Sequence, residues 1–226
     1  MIVLYNPRAT RPRNRRLPLS ALSIAAVLEG REQVAIVDGN LDPDPARTMV
    51  ALLEERPVEM LAVTVMPGPQ TVGAVETCRH VRSRFPGVPI AWGGFFPTNY
   101  TQAALNAPYV DYAVRGQGEE TMLELLDALR GRRGFESING LSYKNGNGEQ
   151  VHNPERAMKG LDDFPWYPYH HLPVEKYLLP TFLGKRTAVH QASIGCPYRC
   201  NFCGVVTFSG SRQNHPPFPS FSASVR

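Results

Sequence analysis

Long apolar runs are missing from this chain. Even MLAVTVM at 60–66 falls far short of the roughly 20 residues that span a bilayer, so no membrane-crossing segment is expected. No secretory signal is expected either: MIVLYNPR lacks a basic start, an apolar core and a small-residue cleavage site. A cytoplasmic protein with reduced thiols follows as the expectation. The glycine signatures that cradle phosphates are incomplete. RGQGEET (115–121) has Thr121 where the third glycine of GxGxxG belongs, and G-x-x-x-x-G-K-S/T does not occur, which removes the dinucleotide and P-loop readings. Aromatic residues are absent from the basic run PRATRPRNRR, which gathers Arg8, Arg11, Arg13, Arg15 and Arg16. With no nucleic-acid module around it, the run reads as a solvated loop, and nucleic acid is not expected as a partner. A phosphate-bearing cofactor tail is the milder use for it.

What is present suffices for one ordinary core and a smaller appendage: 226 residues, 42% of them apolar, with a net charge of +4. From Met1 to about Gly131 short apolar runs alternate with helical patterns, the rhythm of βα units around a parallel sheet. Five runs, 2–5, 34–38, 59–65, 88–92 and 110–114, hardly alternate in polarity, as befits strands buried on both faces. Gly30 and Gly131 stand just past helical patterns, and Asp44 before Pro45 offers an N-cap with proline in the first turn. Val75, Cys78 and Val81 recur every three residues, so Cys78 is expected to be a packed hydrophobe rather than a ligand. INGLSYKNGNGEQVHN at 138–153 places two extended stretches around a glycine and asparagine turn, a β-hairpin that closes a first domain over 1–155.

Residues 156–186 read as a proline- and aromatic-rich linker packed on that domain, with Trp166, Tyr167 and Tyr169 covering apolar surface. His170 and His171, adjacent within it, are expected to be hydrogen-bonded surface rather than metal ligands. The expected fold class is α/β, a Rossmann-like doubly wound parallel five-stranded sheet. In such sheets ligands sit outside the carboxyl ends of the strands. The loops there are Asn6 to Arg8, Thr64 to Pro69 (with Thr64, Val65 and Met66 leading), Gly93 to Thr98, and Gly116 to Glu119. Gly93-Gly94 and Gly116-Gln117-Gly118 allow backbone to approach a flat or anionic ligand, because glycine puts no side chain in the way.

Cysteine is scarce, yet three of the four, Cys196, Cys200 and Cys203, fall within eight residues as CxxxCxxC in SIGCPYRCNFCGV. Three thiolates can hold three irons of a cubane cluster and leave the fourth iron open to a substrate or cofactor. A dithiol redox pair at CNFC lacks a surrounding βαβ unit. Structural zinc is the stronger alternative, with His215 as fourth ligand after an eleven-residue spacer.

These residues resemble the signature of radical S-adenosylmethionine (SAM) enzymes, in which an aromatic residue precedes the last cysteine, as Phe202 does here. Gly195, Pro197 and Tyr198 are similar to that family's GCPYxC loop. The resemblance implies a [4Fe-4S] cluster on Cys196, Cys200 and Cys203, with SAM on the open iron, Tyr198 and Phe202 flanking it, and reductive cleavage to a 5'-deoxyadenosyl radical. WGGFFPT (92–98) and VRGQGEET (114–121) resemble the cobalamin-binding domain fused to one large radical SAM class, and the likeness covers roughly 1–205. It implies a corrin on the carboxyl edge of the sheet, bordered by Asn6, Thr64, Val65, Met66, Gly93, Gly94, Phe95, Gly116, Gln117, Gly118 and Glu119. No DxHxxG occurs, which points to base-off cobalamin without a histidine ligand. Phe96 stands where many relatives carry histidine, and the GGxFPT variant is similar to the anaerobic oxidative cyclase branch. A phosphorylated receiver domain has a similar layout but needs an aspartate where this chain has Thr64-Val65-Met66. Methylthiotransferase relatives carry extra N-terminal cysteines, and only Cys78 is present.

TAVHQASI (187–194) then reads as the first strand of a βα barrel, delivering the cysteine loop at its carboxyl end. Such a barrel takes on the order of 200 residues, whereas 204–226 alone follow Cys203. The third segment, 187–226, is therefore expected to be an incomplete barrel, inactive by itself, ending in a disordered tail at HPPFPSFSASVR. The expected function is that of a cobalamin-dependent radical SAM enzyme methylating or cyclising a small-molecule substrate at an unactivated carbon, fed by an external electron donor such as flavodoxin or ferredoxin. Two alternatives stand beside it: a non-catalytic cobalamin-binding module, and a Cys3His zinc-stabilised interaction protein.

Overall fold

Runs of apolar residues with no polar alternation need partners on both faces, and five of them find those partners in one parallel sheet. The computed structural model describes residues 1–191, 193–209 and 213–214. The strands are β1 (Ile2–Asn6), β2 (Val34–Asp38), β3 (Met60–Thr64), β4 (Ile90–Gly93) and β5 (Tyr112–Val114), each within two residues of its apolar run. They lie in the order β2-β1-β3-β4-β5, all parallel. The order reverses between β1 and β3, so the crevice at that switch point opens at the carboxyl ends.

Helices α1 (Leu19–Leu28), α2 (Pro45–Glu55), α3 (Pro69–Arg84), α4 (Phe95–Asn99), α5 (Thr101–Asn106) and α6 (Glu119–Leu129) connect the strands. Strand alternation splits the core in two. Ile2 and Leu4 of β1 join Met60, Ala62 and Ala91 under α1 and α6. Val3 and Tyr5 turn the other way, toward Met49 of α2, Ala74 and Val81 of α3 and Leu105 of α5. Cys78 belongs to this second core, fully buried. Burial pushes its thiol up to about 12, which fits a packed hydrophobe and not a metal ligand. Asp44 caps α2 by accepting a 3.1 Å hydrogen bond from Arg47 N, and Gly30 and Gly131 both adopt φ +71 just past α1 and α6.

The expected hairpin forms as β6 (Leu141–Lys144) and β7 (Gln150–His152). Both strands are antiparallel and extend the sheet beyond β5, so the five parallel strands sit in a sheet of seven. The linker beyond it winds through short 3-10 turns at Leu161–Asp163, Tyr169–His171 and Val174–Tyr177. Leu172 and Tyr177 are buried against Leu17 and Leu22, with Tyr167 and Tyr169 packed beside them. Trp166 does not cover apolar surface as expected; it is 60% exposed, because it falls between the inward positions of the linker and so points out.

One expected strand does not form. TAVHQASI was to run from 187 to 194, but Gly184–Thr187 (β9) ends at its first residue and pairs antiparallel with β8 (Leu179–Thr181). Among the described residues no further strand begins before β10 (Ile194–Gly195), which pairs with β11 (Gln213–Asn214). A barrel strand is held by parallel neighbours, and among the described residues none lies beside this segment, so the local hairpin prevails. His215 and the proline-rich tail fall outside the described residues. No described helix is long and apolar enough to cross a membrane.

Candidate functional site

Small side chains make the site. Ala62 and Ala91 stand on the sheet face beneath α1 and α6, Gly93 ends β4, and Gly116 and Gly118 follow β5. The missing bulk leaves a cavity of about 240 Å³ at the carboxyl edge. Leu4, Ile24, Val114 and Met122 form its apolar walls, and Thr64, Gly93, Gly94, Gly116, Gln117, Gly118 and Glu119 surround it. Two glycines are fixed by close approach. A Cβ on Gly94, whose φ is +92, would meet Thr64 Oγ1 at 3.2 Å, and one on Gly118 would meet Val114 Cγ1 at 3.3 Å and Ile24 Cδ1 at 3.4 Å.

Hydrogen bonds hold the loops at fixed distances. Phe96 N donates to Val65 O at 2.8 Å, joining the loops after β3 and β4. Thr98 Oγ1 accepts from Gly116 N at 2.9 Å and donates to Gly94 O at 2.7 Å, joining those after β4 and β5. Asn6 is not in the cavity wall. Its amide donates to Asp38 Oδ1 at 2.7 Å, its oxygen accepts from Gln70 Nε2 at 2.9 Å, and Gln70 Oε1 accepts from Met66 N at 3.0 Å. Asn6 thus steadies the loop after β3 from below. Val65 is turned into the opposite core, while Met66 is 48% exposed on the rim.

Gln117 spends both ends of its amide on the linker, donating to Lys159 O at 3.2 Å and accepting from Lys159 N at 2.7 Å. Glu119, at the start of α6, is buried and faces the cavity. Burial pushes its carboxyl above the usual carboxylate range, opposed by backbone N–H groups at the helix start and by the Ser23 hydroxyl.

The cysteine segment lies against this same rim. Helix α7 (Val205–Ser209) follows Cys203, and Phe208 stacks on Phe95 with ring centres 6.2 Å apart. Gly204 sits so close to α4 that a Cβ there would be 2.6 Å from Phe95 Cζ. Phe208, Ile194, Gln191 and Tyr167 complete the cavity lining, and Tyr167 donates to Gln191 Oε1 at 2.6 Å. Tyr198 and Phe202 are 72% and 94% exposed. Cys200 is exposed, Cys196 and Cys203 are half-buried, and Cys203 N donates to Cys200 O at 3.1 Å. The three thiols are beside the rim but not gathered: among the described residues, the group whose ligand atoms all lie within 4.8 Å of one another is Glu29, His170 and His171.

Sequence reasoning missed Gln70, Gln191, Ile194 and Phe208, placed Thr98 only at the end of the loop after β4, and named Tyr167 only as cover for apolar surface. For Phe208 a signal existed, an aromatic five residues past the last cysteine. Gln70 and Gln191 carry none, because each matters only through a partner distant in sequence.

The model of one protein family, the B12 binding domain, matches residues 10–126, more than half of the chain. The chain is 28% identical over 200 residues to the anaerobic magnesium-protoporphyrin IX monomethyl ester cyclase of Synechocystis, covering 85% of this chain and 39% of that one. It is also 28% identical over 197 residues to an uncharacterised methyltransferase of Pyrococcus horikoshii, covering 86% and 42%. It therefore spans about two fifths of the length of these curated relatives. In fold it is similar to the radical SAM methyltransferase TsrM of Kitasatospora setae, solved with cobalamin and a [4Fe-4S] cluster bound, at a TM-score of 0.72 and 20% identity over 99% of this chain and 44% of that one.

Proposed function

Because the chain belongs to the B12-binding domain family, as the match over 10–126 establishes, we propose that its cavity and glycine rim hold cobalamin beside a cysteine-bound cluster. The whole would act as a cobalamin-dependent radical SAM enzyme that methylates or cyclises a small-molecule substrate at an unactivated carbon. A reductant such as flavodoxin or ferredoxin and a cytoplasmic setting, where thiols stay reduced, belong to the same reading.

The residues fit both groups. Gly94 and Gly118 leave open a cradle that Cβ atoms would crowd, and exposed Met66 and half-buried Phe95 offer apolar contact on the rim. Cys196, Cys200 and Cys203 supply the three-thiolate donor set of a cluster with one open iron. When bound, the cluster would supply the electron for reductive cleavage of SAM, and the cobalamin would supply its cobalt chemistry. For their part, the protein's residues position and shield: Thr98 and Gln70 set the rim loops, Leu4, Ile24 and Met122 keep water from the slot, and Phe208 seats the cysteine segment on α4.

The observation that carries the proposal is this last one. Phe208 and Ile194, which bracket the three cysteines in sequence, line the same cavity as Gly93, Gly94, Gly116 and Gly118. A second reading, a cobalamin-binding module without turnover, is favoured by the ungathered thiols. Anaerobic reconstitution with iron, sulfide and hydroxocobalamin, followed by desalting, metal analysis and a visible spectrum, separates the two. Retained corrin with thiolate-bound iron supports the enzyme, retained corrin without iron supports the module, and loss of both overturns each.

A further inference from the structure

One convergence of side chains has no part in that function. Glu29, the C-cap residue of α1, faces two histidines of the linker turn Tyr169–His171. His171 Nε2 lies 2.8 Å from Glu29 Oε2, and His170 Nε2 lies 3.2 Å from Oε1. The two imidazoles are 4.5 Å apart between centres and tilted by 34°. We propose that Glu29, His170 and His171 bind one divalent ion of the zinc class, a staple between the end of α1 and the linker.

Donor chemistry comes first. Two imidazole nitrogens and one carboxylate oxygen are the borderline set that zinc and its neighbours prefer to magnesium or calcium. Ligand bonds of about 2.0–2.1 Å place tetrahedral donor atoms roughly 3.4 Å apart. One ligand atom from each of the three residues already lies within 4.8 Å of the other two, so side-chain rotations of about an ångström or less bring the set to the spacing that an ion needs.

Position adds to this. The last carbonyls of a helix carry partial negative charge and favour a cation, and α1 has no basic residue in its last turn. The linker turn is also set in advance: Leu172 N donates to Tyr169 O at 3.0 Å, and Leu172 is buried in the apolar cluster of Leu17, Leu22 and Tyr177. His171 is mostly covered while His170 is 65% exposed, which leaves a solvent side for entry and for a water as fourth ligand. An ion held there would fix the linker that brings Tyr167 to the cavity.

The proposal does not depend on cobalamin or on the cluster. Its test uses the full chain with Cys196, Cys200 and Cys203 replaced by alanine, so that no thiolate captures the ion. Cobalt(II) serves as the probe by its visible ligand-field bands, followed by displacement with zinc and metal analysis. We expect one ion per chain, with affinity at least about tenfold weaker in His171→Ala and in the isosteric Glu29→Gln, and unchanged in His80→Ala. No bound ion, or equal affinity in Glu29→Gln, would overturn the site. Circular dichroism of each variant identifies one that has unfolded, and Glu29→Gln then decides the matter, since its shape is kept.

Discussion

Tyr177 donates a 2.6 Å hydrogen bond to Asp38 Oδ2 across 139 residues of sequence, from the linker to the carboxyl end of β2. The other carboxylate oxygen of Asp38 accepts from Asn6 Nδ2 and from Asn40 N and Nδ2. A buried carboxylate is thus satisfied by neutral donors alone, and one of them belongs to the linker. Burial and the Asp38 contact push the Tyr177 hydroxyl well above its ordinary range.

Tyr177→Phe leaves Oδ2 buried without a donor, which costs about 1–3 kcal/mol. The melting temperature should fall by roughly 2–4 °C per kcal/mol at this chain length. Amide exchange over 172–178 should quicken more than exchange in β1. Equal protection in variant and parent would show that the linker is held by other contacts.

Gly118→Ala is a sharper test of the cavity. Its φ of −95 suits any residue, but the new methyl would press on Val114 and Ile24 and narrow the slot. Hydroxocobalamin retention should fall by about tenfold or more with little change in melting temperature. Gly94→Ala adds backbone strain, since φ there is +92, and should lower both. Undiminished retention in Gly118→Ala would remove the cavity from the corrin site.

Glu119 sets a pH dependence of known sign. Its folded-state carboxyl titrates above the ordinary range because of burial, so between the unfolded and folded values the unfolded chain gives up its proton first. Stability is therefore highest below the ordinary glutamate range and falls as pH rises through the window between those values. Glu119→Gln should stabilise the protein near pH 7, and the gain should vanish by about pH 4. Denaturant midpoints at the two pH values check this, and a gain that persists in acid would refute it.

Arg130 works in the opposite direction. It reaches Glu32 Oε1 and Oε2 at 2.6 and 2.7 Å and Glu59 through two further bonds of 2.7 Å, joining the end of α6 to segments preceding β2 and β3. Hydrogen bonding to Arg130 holds the Glu32 carboxyl below its usual range. That stabilisation is present above the unfolded glutamate value and is lost as pH falls through the folded one. Arg130→Met should cost about 1–2 kcal/mol at pH 7, less than a fully buried pair because solvent screens it, and the difference should shrink in acid. A pH-independent loss would mean that packing, not charge, was removed.

Much of the sheet was legible because β1, β3 and β4 are buried on both faces, and burial on both faces writes itself as an unbroken apolar run. Gly94 and Gly118 were legible for a similar reason, since close approach favours a residue without a side chain there. The part Asn6 plays in steadying the rim was not legible, because it depends on the β1–β2 register, which sets it opposite Asp38, and on Gln70, 64 residues away. An apolar run announces a strand but not its neighbour's polar ends. The failure at 187–194 has the same origin: strand propensity is local, whereas the partner that would keep the segment extended is not.

The seating of the cysteine segment is the relationship on which the proposed enzyme most depends, and Gly204 isolates it. A valine there would bring its Cβ to 2.6 Å from Phe95 Cζ and 2.9 Å from Asn99 Oδ1, so both side chains must shift and the stacking of Phe95 on Phe208 is disturbed, while the seven-stranded sheet is untouched. Gly204→Val should therefore keep the parent's melting transition. Limited trypsin digestion should nevertheless cut faster after Lys185, Arg186 and Arg199, read by intact mass. A variant digested at the parent's rate would mean that the contact does not hold the segment in solution, and the cysteines would then lose their place beside the cavity.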